Sequence, residues 1–66
     1  MEMPKYKLDN LIDTIENDDH LKDFYVIDRE RLNKMSYDQY WYFMRLWQNG
    51  QYFKIKDLLD KFLNHR

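Results

Sequence analysis

The side chains in this sequence that could do chemistry are few and fall into three groups. The first is acidic. Asp9, Asp13 and Glu16 are spaced four and three apart, which on a helix makes a column of carboxylates on one face. Further acids continue through Asp18, Asp19, Asp23 and Asp28. Glu16, His20 and Asp23, at i, i+4 and i+7, form the nearest approach to a metal-ligand set. One imidazole with two carboxylates and no fixed turn glycine matches neither a zinc site nor a calcium loop, so no metal is expected. A solvated helix face is the plain reading of these acids. A surface that mimics phosphate, occupying a basic channel on another protein, is the sharper one, because carboxylates can replace phosphates as partners of Lys and Arg.

The second group is basic. Arg45, Lys54, Lys56, Lys61 and Arg66 lie near aromatics and invite a nucleic-acid reading. Against it, Asp57 precedes Lys61 by four residues in the favourable helix-pair orientation, and the chain carries a net charge of −1. No recognisable nucleic-acid-binding motif is present. That small net charge hides an asymmetry: residues 1–30 hold nine acids against four bases, and residues 31–66 hold seven bases against three acids. Such polarity steers partners over about one Debye length, roughly 8–10 Å.

The third group is aromatic and is the most informative. Eight of the twelve Phe, Trp and Tyr residues lie between Tyr37 and Phe53. At helical spacing Tyr37, Tyr40, Phe43, Met44 and Trp47 share one stripe wide enough to face a core. Trp41, Tyr42 and Leu46 are then left over on the other sides of the helix, and Phe53 is left over on the next one. Aromatics are common interface anchors, so these four residues form the candidate partner-binding set, with Asp9, Asp13 and Glu16 as a candidate acidic face. The alternative is that the surplus completes the internal packing.

Enzymatic readings find little support. There is no cysteine, the single serine suits a helix cap, and His20 and His65 fall at a turn and at the C-terminal end. One glycine cannot build a Gly-rich phosphate loop. A substrate pocket of about 300 Å³ would consume much of so small a core. No catalytic residue and no cofactor is expected.

The elements that must position these groups are helical. Leu8, Leu11, Ile12 and Ile15 follow i, i+3, i+4, i+7 and predict a helix over about 5–18. From 19 to 35 the signal weakens to a linker. Phe24-Tyr25-Val26-Ile27 has strand-like composition but no second strand in view, and Asp28 is placed to cap a short helical turn at 29–32. Ser36-Tyr37-Asp38-Gln39 is a capping-box pattern that opens a second main helix, about 37–49. Asn49-Gly50 ends it, and Tyr52, Ile55, Leu58, Leu59, Phe62 and Leu63 predict a third over about 51–64. The stretch from Gln48-Asn49-Gly50-Gln51-Tyr52 through Leu59 and Phe62 resembles the turn and second helix of a tetratricopeptide unit. The resemblance implies shared hairpin geometry only, since Ile55 stands where the repeat prefers alanine and no second copy is present to stack upon.

The expectation is a single all-α domain of 66 residues, a small three-helix bundle, or four-helix with the turn at 29–32, ending in an antiparallel helical hairpin. A core of this size supplies only about 3–5 kcal/mol alone, which keeps a homodimer in view. The longest apolar run, Tyr40 to Met44, is far short of a membrane span, and Met1-Glu2-Met3-Pro4 lacks a secretory pattern, so a cytoplasmic protein is expected. Phe, Tyr, Met, Ile, Asn and Lys make up 30 residues while alanine is absent, a bias that points to an AT-rich genome such as that of a low-GC bacterium or its phage. The functional expectation is a small regulatory or inhibitory protein, phage or mobile-element encoded, that binds and occludes a host protein, for which a nucleic-acid-handling enzyme is a sensible target. The rivals are a DNA-binding regulator and a structural homodimer.

Overall fold

A computed structural model describes residues 4–66, so the opening residues 1–3 of the N-terminal pattern lie outside it. Four helices follow one another: α1 (Lys5–Asn17), α2 (Arg29–Leu32), α3 (Tyr37–Gln48) and α4 (Tyr52–Leu59). No strand occurs among the described residues, and the chain is all-α with a radius of gyration of 10.6 Å.

Helix α1 starts on Pro4, whose carbonyl accepts from the amides of Lys7 and Leu8. Its expected stripe of Leu8, Leu11, Ile12 and Ile15 is the buried face. It stops at Asp18, which turns extended, and the Asp18 carbonyl then accepts from Leu21 and Lys22 to wind the following turn. Asp28 caps α2 by accepting from the Arg31 amide. The capping box of α3 is complete, with the Ser36 hydroxyl accepting from the Gln39 amide at 3.1 Å and the Gln39 side chain accepting from the Ser36 amide at 3.0 Å. Gly50 takes φ +68° between α3 and α4, a conformation that costs glycine least.

Two expectations about the elements need correcting. The third main helix was expected over 51–64, but α4 ends at Leu59, and Lys61 and Phe62 tighten into i to i−3 bonds. The chain then extends so that the Val26 amide donates to the Asn64 carbonyl and the Arg66 amide donates to the Phe24 carbonyl. The strand-like Phe24–Ile27 segment therefore does find a partner, the C-terminal residues, through a single antiparallel bridge between Tyr25 and His65.

The second correction concerns α3. Its buried residues are Tyr40, Phe43 and Leu46, a stripe rotated by about 60° from the expected one when residues are placed at about 100° each. Helix α4 packs against α3, and the Gln51 amide donates to the Leu46 carbonyl, so the chain entering α4 covers the Leu46 flank. Trp47 is pushed out to 37% exposure.

The core joins all four helices, with Leu11, Ile15, Leu21, Leu32, Phe43, Ile55 and Leu59 fully enclosed. Tyr25 and Met35 enter it from the connecting segments. No side-chain polar atom among the described residues is buried without a partner.

Candidate functional site

Because Tyr40, Phe43 and Leu46 turn inward, the exposed surface of α3 is left to Asp38, Trp41, Tyr42, Arg45, Trp47 and Gln48. Trp41 is 49% exposed and Tyr42 48%. Trp41 is nonetheless braced. It stacks on Tyr37 at 6.0 Å between ring centroids, meets Tyr40 edge-on at 5.3 Å, and carries the Lys7 ammonium 4.6 Å from its ring centroid. Held from these sides, the indole presents its free surface at low entropic cost, which suits an anchor.

Tyr42 lies on the other flank of α3, in a shallow concavity shared with Lys54, Asp57, Leu58 and Lys61. Phe53 is 81% exposed on α4 but adjoins Lys54 in sequence, so it points about 100° away around that helix. The structure thus does not gather the four candidate aromatic and apolar residues into one patch. Leu46 leaves the set, being 4% exposed and part of the core, because α4 covers that flank.

The acidic column on α1 is exposed at Asp9, Asp13 and Glu16. It is not uniformly free, since Asp9 forms an ion pair with Arg29 that ties α1 to α2. Asp13 lines a shallow concavity with Thr14, Asn17, Asp18 and Trp47. Among the described residues no three His, Cys, Asp or Glu side chains come together as a metal site. His20 instead stacks on Tyr52 with ring centroids 4.3 Å apart.

Two carboxylates that sequence reasoning did not single out organise the polar surface. Asp18 accepts from the Trp47 indole N–H at 2.8 Å and from the Tyr52 hydroxyl at 2.7 Å through Oδ2, and from the His20 amide at 2.8 Å through Oδ1. Burial works to raise its pKa. The hydrogen bonds from Tyr52, Trp47 and the His20 amide outweigh that, and the carboxyl is held below its ordinary value. The same bond, joined by partial burial, raises the pKa of the Tyr52 phenol.

Asp60 is the second. It accepts from the Tyr25 hydroxyl at 2.9 Å and sits 2.6 Å from His65 Nε2. The His65 contact is the leading cause of its lowered pKa; burial opposes this and the Tyr25 bond adds to it. Tyr25, enclosed in the core, has its pKa raised by burial first and by Asp60 second, so its phenol is held protonated as the donor to Asp60. The group Tyr25, Asp60 and His65 therefore clasps the C-terminal residues. The one sequence signal for such partners was the need of a packed Trp or Tyr for a polar acceptor, which does not say which acceptor.

Arg31, Lys34, Lys61 and Phe62 line a further open concavity that meets the Tyr42 one at Lys61. Compared with known proteins, the chain matches no family model, no curated protein and no solved structure. Among the described residues no helix is long and apolar enough to cross a membrane.

Proposed function

We propose that this chain is a small regulatory or inhibitory protein-binding module that works by occluding a surface of another protein. In this reading the helices form a three- or four-helix bundle, α3 and α4 make an antiparallel hairpin, and Trp41 and Tyr42 are the anchors. The acidic column of α1 contributes to orientation and on-rate more than to affinity. A phage or mobile-element origin in an AT-rich genome belongs to the same proposal and rests on composition; the cytoplasmic setting rests on the shortness of the apolar runs.

The observation that supports it is that the core closes without the exposed aromatics. Tyr40, Phe43 and Leu46 suffice for the inner face of α3, while Trp41 and Tyr42 stay half exposed beside them. Tyr and Trp are enriched among the residues that anchor protein interfaces.

Capture from a lysate of the source organism tests the reading, with wild-type protein compared against Trp41→Ala and Tyr42→Ala. A specific partner held by the wild type and lost from a variant of unchanged melting temperature supports it. Retention of the same partner by both variants overturns these anchors. A concentration-dependent dimer in sedimentation that either substitution dissolves would move the reading to a homodimer.

A further inference from the structure

We infer that the basic strip running from Arg31 and Lys34 across Lys61 to Lys54, with Tyr42 and Phe62 set between the charges, receives a short acidic peptide segment of another protein. The inference rests on the protein-binding reading above and adds the chemistry of the partner.

The strip is made by the fold. Arg31 lies in α2, Lys34 follows that helix, Tyr42 comes from α3, Lys54 from α4, and Lys61 with Phe62 from the turn beyond α4. These line two concavities that adjoin at Lys61. Among the described residues Lys34, Lys54 and Lys61 make no salt bridge, whereas Arg31 is 3.5 Å from Asp28. Three lysines thus line the two adjoining concavities with no carboxylate of the described residues within salt-bridge distance, in a chain whose net charge is −1. Phe62 packs on the core beneath and Tyr42 is half exposed, so apolar side chains of an occupant have surfaces to lie on.

Charge complementarity selects an anion, and the surroundings select a peptide over nucleic acid. Asp57 interrupts the strip between Lys54 and Lys61. A duplex carries about one negative charge per 1.7 Å of axis in a fixed array, so Asp57 would weigh against it. A peptide can place an apolar residue there and its carboxylates to either side. The molecule measures only 27 × 24 × 19 Å, so a long polyanion would also meet the field of the acidic α1 face.

The test is fluorescence anisotropy with three labelled probes: a decapeptide alternating Glu and Leu, its Lys-for-Glu counterpart, and a short duplex DNA. The Glu peptide should bind at low salt and weaken as salt rises. The double variant Lys34→Glu with Lys61→Glu should lose about tenfold in affinity, since it turns two exposed attractions into repulsions. Tyr42→Ala should weaken binding without changing its salt dependence. Should the double variant not fold, Lys54→Glu takes its place. No binding of the Glu peptide, equal binding of the Lys peptide, or insensitivity to the charge reversals overturns the inference. Tighter binding to the duplex overturns it in favour of nucleic acid. Capture that depends on Trp41 while the Glu peptide fails to bind would sink the acidic partner and leave the protein-binding reading standing.

Discussion

The indole N–H of Trp47 donates to Oδ2 of Asp18 at 2.8 Å, joining the end of α1 to the last turn of α3 across 29 residues of chain. The same oxygen accepts from Tyr52 at the start of α4, so one carboxylate holds three helices in register. Removing it should loosen all three together. Asp18→Ala is expected to cost about 1–3 kcal/mol, the usual range for losing hydrogen bonds to a charged acceptor. Asp18→Asn should lie between Ala and wild type, because the amide keeps only one accepting oxygen. Urea titration followed by the fluorescence of Trp41 and Trp47 together measures both, and an unchanged midpoint for Asp18→Ala would remove Asp18 from this role.

The pKa shifts predict loss of stability at both ends of the pH range. Asp18 and Asp60 are lowered in the folded chain, so their contribution is present above the ordinary Asp value of about 3.9 and is lost as pH falls through their folded values. Tyr25 and Tyr52 are raised, so theirs is present below about 10 and is lost as pH rises through the folded values. Melting temperature should therefore decline below about pH 4 and again above about pH 10. Replacing Tyr25 with Phe should flatten part of the alkaline decline.

The rotation of α3 makes a sharp pair of predictions. Leu46→Ala creates a cavity in the core and should cost about 2–5 kcal/mol. Tyr42→Ala, on the outer flank four residues earlier, should change stability by no more than about 0.5 kcal/mol. Equal effects in thermal melts would contradict the burial of Leu46 under α4.

The C-terminal clasp should be separable from the rest of the fold. Tyr25→Phe deletes the bonds to Asp60 and to the Lys56 carbonyl, at 2.9 and 3.3 Å, and should cost about 1–2 kcal/mol. Truncation after Leu63 should free the Val26 amide, whose acceptor is the Asn64 carbonyl, while the amides of α1 keep their protection. Hydrogen exchange resolves this amide by amide, and a Val26 amide that stays protected after truncation counts against the clasp.

Much of the local architecture was legible because its causes are local. The α1 stripe, the Ser36–Gln39 box and the turn at Gly50 each depend on residues within a turn or two of one another. The candidate surface was only partly legible. Periodicity shows that α3 has more apolar residues than one face can hold, but it does not say which arc its neighbours cover. Leu46 and Trp47, adjacent in sequence, exchanged their expected places for that reason.

By itself the sequence determined that the chain is helical, where three of its helices begin, and that its aromatics concentrate in α3 and the start of α4. Only the tertiary structure decided the rotation of α3, the early end of α4, the pairing of Tyr25 with His65, and the choice of Asp18 and Asp60 among twelve acids as hydrogen-bond hubs. Helix starts and stripes arise from contacts a few residues apart, which a linear pattern records. The others arise between groups up to 40 residues apart along the chain, and nothing in a linear pattern marks which of many chemically equivalent side chains will meet.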